Sequence, residues 1–173
     1  SGTTDTFTVV LNAQPASDVV FSISSSDTGE ATVTSTLTFT AANWNSAQSV
    51  TVTGVDDSII DGTVNSTITA SIIDAISDDD FDSVADQTVS VATTDNDVAG
   101  FTITQSSGST SVSESGSTDT FTVVLNAQPA SDVVITITSS DAGEATVSGS
   151  LTFTAGNWNS AQTVTVTGVD DNI

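Results

Sequence analysis

The chain has no lysine, no arginine and no histidine, so none of its 22 aspartate and glutamate side chains has a cationic side chain to pair with. Cysteine is also absent, which excludes disulfides, a thiolate nucleophile and any cysteine-type zinc site. The lack of histidine removes the usual general base and nitrogen ligand. No apolar run approaches the roughly 18 residues that a membrane-spanning helix requires. No signal peptide is visible. The stretch begins and ends inside a repeat, so missing targeting signals carry no information. A formal charge of −22 argues against nucleic acid and anionic membrane surfaces as direct partners.

What remains is an acidic, hydroxyl-rich chain. The hydrophobic fraction is 36%, low for a globular protein, and such a composition is compatible with disorder. The pattern opposes that. Thirty-two threonines and 28 serines alternate with Val, Ile, Leu and Phe at period two. Threonine is β-branched and suits the solvent face of a strand.

Residues 1–57 and 115–171 align without a gap at an offset of 114, and 47 of the 57 pairs are identical. The substitutions are mild, such as Phe21 against Ile135 and Ser35 against Gly149. A unit of one domain's length is therefore repeated, as in a tandem array. The first copy, 1–97, lacks its first strand, and the second, 98–173, lacks its last two. Open half-domains fray. The expectation is that their edges are covered, with strands supplied by another copy of the chain.

Read across both copies, one repeat holds strands at 101–105 (running on towards Val112), 5–11, 18–24, 31–34, 37–40, 49–55, 66–73 and 88–93. Phe7, Val9, Leu11, Val19, Phe21, Ile23, Leu37, Phe39, Val50, Val52, Ile68, Ala70, Ile72, Val89 and Val91 fall on the inward faces. No stretch carries a 3.6-residue period. The pattern predicts an all-β fold of tandem two-sheet antiparallel sandwiches. Trp44 and Trp158 occupy matching loops and read as rings capping the core.

Because strand direction alternates, each turn can be assigned to one end of such a sandwich. Asp27, the segment Asp56, Asp57 and Asp61, and the pair Asp95 and Asp97 then converge on one pole, with Glu114 and Asp141 at the same pole of the second copy. A solvated acidic rim is the plain alternative. It is costly, since two carboxylates about 4 Å apart repel by roughly 4 kcal/mol at an effective dielectric near 20. Calcium, which takes six to eight oxygen ligands in irregular geometry, fits better than magnesium or zinc. A second cluster, Asp78, Asp80, Asp82 and Asp86, has the 1, 3, 5, 9 spacing of a calcium loop. Ser83 and Val89 stand where such a loop has glycine and glutamate, and a flexible acidic loop is the alternative.

At these residues the chain resembles the Calx-β family, particularly the Ig-like extender repeats of large RTX biofilm adhesins of Gram-negative bacteria. The resemblance rests on Glu114-Ser-Gly116, Ser140-Asp141-Ala-Gly143, Leu37-Thr-Phe39, Val55-Asp-Asp-Ser-Ile-Ile-Asp61-Gly62 and Thr94-Asp-Asn-Asp97, which together span the repeat. It implies calcium ligands at Asp27, Asp56, Asp57, Asp61, Asp95 and Asp97 in the first copy. In the second it implies Glu114, Asp141, Asp170 and Asp171. Ser58 and Asn65 stand where the family's further acids are expected.

The resulting expectation is a secreted, cell-surface spacer, not an enzyme, in which Ca2+ stiffens each repeat and the linker at 95–100. Its direct partners are the neighbouring repeats. A calcium-dependent module binding carbohydrate or protein at the loop ends is the rival, with Trp44, Trp158 and Phe81 as its aromatic candidates. A carboxylate-pair glycosidase fits worst, because no basic residue or aromatic-lined groove accompanies the acids.

Overall fold

In a computed structural model, residues 2–170 are described. Among them are thirteen strands and no α-helix. No helix is long and apolar enough to cross a membrane. The chain divides into two units, residues 1–57 with 61–95, and residues 58–60 with 96–173.

In the first unit the Thr/hydrophobic alternation folds as read. Strands β1 (Thr4–Val9), β2 (Val19–Ser25), β3 (Ala31–Val33), β4 (Thr36–Phe39), β5 (Gln48–Gly54), β6 (Thr63–Ile72) and β7 (Gln87–Thr94) form two antiparallel sheets. One has the order β1-β5-β3 and the other β4-β2-β6-β7. Register sets Phe7 opposite Val50 and Phe21 opposite Leu37, so apolar side chains share one face of each sheet. Both faces feed a single core: Leu11, Ala31, Val50 and Val52 come from one side, and Val19, Phe21, Ile23, Leu37, Phe39 and Ile68 from the other. That layering is consistent with a β-sandwich. Phe21 meets Phe39 edge to face, with ring centroids 5.8 Å apart, a favoured aromatic geometry. Trp44 packs against this core, and its carbonyl accepts the Leu11 N–H at 3.1 Å, so the ring caps the core as the sequence suggested.

The second unit holds β8 (Phe101–Gln105), β9 (Thr118–Leu125), β10 (Val133–Ile135), β11 (Ala145–Val147), β12 (Leu151–Phe153) and β13 (Gln162–Gly168). A four-stranded sheet, β11-β13-β9-β8, is accompanied by the pair β10-β12. Their core is smaller, comprising Val123, Leu125, Leu151, Phe153 and Val164, with Trp158 against it. Strand β10 has three residues where its counterpart β2 has seven. The cause is local: β2 pairs on both sides, with β4 and β6, whereas β10 pairs with β12 alone.

Three expectations are modified. The first strand of the repeat stops at Gln105 and does not run on to Val112. A turn through Gly108, at φ +80°, follows, and Asp119 fixes it by accepting from the Ser106 hydroxyl at 2.6 Å and the Ser111 N–H at 2.8 Å. Val89, read as inward, is 38% exposed on edge strand β7. The unit boundary falls after Asp95, not Asp97, and residues 58–60 belong with the second unit, where Gln128 N–H donates to the Ser58 carbonyl at 2.7 Å.

Candidate metal centre

Glu30 lies in the turn that leads from β2 into β3. Its carbonyl accepts the Val55 N–H at 2.8 Å and the Thr93 hydroxyl at 3.1 Å, which ties that turn to the ends of β5 and β7. The same strand ends carry the acids. Glu30, Asp57 and Asp61 each offer a carboxylate oxygen, and these oxygens lie within 4.8 Å of one another. Oxygens placed 2.3–2.6 Å from one calcium ion are separated by at most about 5 Å. The three residues thus form a group that could hold a metal ion, and their donors are all hard carboxylate oxygens, without nitrogen or sulfur.

The charge around this group is entirely negative. Glu30's carboxyl is held above its ordinary range, first by desolvation and then by Asp61, Asp57, Asp27 and Asp95. Five acids from three separate stretches of chain therefore act at one place. Asp95 also does structural work. Its Oδ2 accepts the N–H groups of Asp61 and Gly62, both at 3.2 Å, and its own N–H donates to the Gly62 carbonyl at 2.9 Å. Gly62 has φ +79°, where a side chain would be strained. Asp27 closes its own turn, accepting the Gly29 N–H at 2.9 Å. Asp56 adjoins Asp57 in the exposed stretch after β5, and Asp97 follows two residues after Asp95.

Glu30 was not among the acids that sequence reading selected. A signal was present: it lies three residues from Asp27 in the same turn, and Glu144 repeats it at the 114-residue offset.

The second unit repeats the scaffold. Asp141 accepts the Gly143 N–H at 3.0 Å, and the Glu144 carbonyl accepts the Val169 N–H at 2.9 Å, one residue before Asp170. Glu114 is exposed in the turn 113–116, whose Ser113 carbonyl comes so close to Gly168 that any side chain there would collide with it. Glu114, Glu144 and Asp170 thus lie on backbone segments that meet at the end of β13. Asp171 lies outside the described residues. Among the described residues, only Glu30, Asp57 and Asp61 gather within ligand distance.

The 74–86 loop departs from the spacing-based reading. It folds into two 3₁₀ turns, Asp74–Ile76 and Asp79–Phe81. Asp78 is buried, and its Oδ2 accepts the N–H groups of Ala16 at 2.6 Å and Ser17 at 2.8 Å, while Oδ1 accepts that of Asp80 at 3.1 Å. These donors, Ser17 foremost, pull its carboxyl below the usual range against the opposing effect of burial. Asp78 is the peg that fixes the loop to residues 16–18. Asp82 is pushed up by desolvation and by Asp74, Asp79 and Asp78, a different set from Asp78, Asp80, Asp82 and Asp86. The 1, 3, 5, 9 spacing is therefore not matched by a gathering of those four carboxylates.

All three aromatic candidates for a binding platform are partly buried against a core: Trp44 and Phe81 in the first unit and Trp158 in the second. Comparison with models of known protein families and with curated proteins gives no match.

Proposed function

We propose that the chain is a calcium-stabilised structural repeat of an extracellular adhesin, whose Ca2+ stiffens the fold and the 95–100 linker. The observation that carries this reading is the group Glu30, Asp57 and Asp61 in a chain with no cationic side chain. Glu30, Asp57 and Asp61 would hold the ion, with Asp27 and Asp95 adding negative charge beside it. Bound calcium neutralises like charges that otherwise oppose the closure of these turns. The protein's own part is to draw the ends of β5 and β7 and the turn before β3 together through the Glu30 carbonyl and the Asp95 carboxylate.

The 114-residue repeat and the resemblance to Calx-β extender repeats support a spacer role. The packing of Trp44, Trp158 and Phe81 weighs against a loop-end platform for sugars. Melting and small-angle scattering of the full chain, in millimolar calcium and in excess chelator, test the proposal. Calcium at 100 times its dissociation constant adds about 2.7 kcal/mol to folded-state stability. For a domain of this size that corresponds to a rise in melting temperature on the order of 10–20 °C. Equal melting and equal dimensions in the two buffers would remove calcium from the account.

A further inference from the structure

We propose that the Asp61–Gly62 peptide unit is a site of spontaneous isomerisation to isoaspartate, restrained by Asp95 and by metal binding at the Asp61 carboxylate. Of the 19 aspartates in the chain Asp61 alone precedes glycine, and no asparagine does. The chemistry favours that pair. The backbone nitrogen of the following residue attacks the aspartyl Cγ, and a Cβ on that residue crowds the approach, whereas glycine has none.

The surroundings leave the pair open to this attack. Both residues are exposed and lie outside the strands, just ahead of β6. Gly62 stands at φ +79°, and among the described residues no atom beyond its chain neighbours lies within 4 Å of the place a Cβ would take. Asp57 and Asp82 precede serine, whose Cβ shields the nitrogen. One group holds the reaction back. Asp95 Oδ2 accepts the Gly62 N–H at 3.2 Å and the Asp61 N–H at 3.2 Å, and the Asp95 N–H donates to the Gly62 carbonyl at 2.9 Å. The attacking nitrogen must give up its bond to Asp95.

In the reaction the Gly62 nitrogen bonds to Asp61 Cγ. One carboxylate oxygen leaves as water, with the amide hydrogen and a proton from solvent, and a succinimide ring closes. Water then enters at either ring carbonyl. Opening at the Asp61 backbone carbonyl leaves the main chain running through Cβ and Cγ, with the carboxylate on Cα. The water lost is regained, so no oxidant or other reactant is consumed. The main chain becomes one atom longer and the carboxylate arm one carbon shorter. Glu30, Asp57 and Asp61 bring carboxylate oxygens within 4.8 Å of one another, and the change draws one donor out of that group. Protection by a cation rests on the metal reading proposed above. A carboxylate engaged beside Glu30 and Asp57 cannot also turn its Cγ onto the Gly62 nitrogen.

The test ages the full chain at neutral pH, well below its melting temperature, in excess chelator and in millimolar calcium. Isoaspartate is quantified with an isoaspartyl-specific methyltransferase. It is located by peptide mapping, since proteases that cut before aspartate do not cut before its isomer. In chelator the isomer is expected at residue 61 at least tenfold faster than at any other aspartate. Asp95→Ala speeds it several-fold, and Asp95→Asn, which keeps an acceptor oxygen, speeds it less. Gly62→Ala stops it but is strained at this φ, so Asp61→Glu, whose longer side chain closes a ring far more slowly, is the second variant. Calcium slows the reaction several-fold in the unsubstituted chain. Isomer no more abundant at 61 than at Asp57 or Asp82, or a rate untouched by Asp95→Ala, overturns the proposal. Equal ageing in the two buffers, in a chain whose melting calcium raises, overturns protection by the cation. If calcium leaves melting unchanged, the metal reading fails separately, and the chelator series alone decides the site.

Discussion

Glu30 and Asp78 are both acids in turns of the first unit, yet their surroundings act in opposite directions. Glu30 faces other carboxylates across a partly desolvated gap, so its charged form is disfavoured in the folded chain. Glu30→Gln removes one like charge and one candidate ligand. Its expected effect is a higher melting temperature in chelator and a calcium-induced rise cut by at least half. Asp78 receives three backbone N–H groups, and Asp78→Ala leaves them without their acceptor. Thermal melting should fall by several degrees with and without calcium alike.

The same two environments set the acid response. A raised carboxyl pKa penalises the folded state at neutral pH, and that penalty disappears as pH falls through Glu30's raised value. The depressed carboxyls of Asp78 and Asp119 contribute stability above the ordinary aspartate value of about 3.9, and it is lost as pH falls through their lowered values. The metal-free chain should therefore melt higher on mild acidification from pH 7 and lower again in stronger acid. A steady decline from neutrality downwards, followed by circular dichroism, would contradict this.

At the scale of single strands, the Thr/apolar alternation made the elements legible, because period two assigns each side chain to a face directly. The ends of β1 to β7 fall within three residues of their expected places. The 74–86 loop was less legible. Spacing alone suggested a calcium loop, but the backbone N–H groups of Ala16, Ser17 and Asp80 had a prior claim on Asp78, and nothing in the acid spacing records where residues 16–17 lie. That acids from distant turns gather at one end of the first unit was legible through strand direction. Glu30 was not selected, because it lies on a turn already credited to Asp27.

Strand β6 offers its own test. Ser66 faces the core at 1% exposure, and its hydroxyl has no hydrogen-bond partner among the described residues. An unsatisfied buried group costs about 1–3 kcal/mol. Ser66→Ala should raise stability by about 1 kcal/mol, measured by chemical denaturation. In β4, Phe39→Ala should cost about 3–5 kcal/mol, since Phe39 is fully buried and in ring contact with Phe21.

At the scale of the whole molecule there are two unequal cores, with ten buried residues against five among the described residues. Calorimetry should resolve two transitions, with the second unit melting first and calcium raising the upper one. Sodium chloride at about 1 M should also stabilise the chain, by screening its self-repulsion. Calcium should act at millimolar levels and saturate.

The identity of β1 and β9 also shapes how the chain finds its fold. The segment that becomes β8 meets two targets with the same Thr-Asp-Thr-Phe-Thr-Val sequence, 92 residues before it and 13 after it, counted from Phe101 back to Val9 and from Gln105 on to Thr118. Loop-closure entropy favours the nearer target by about 1.7 kcal/mol, roughly eighteenfold in encounter. Proximity along the chain, not side-chain chemistry, then decides the pairing, and a long insertion between residues 105 and 118 would make the segment promiscuous.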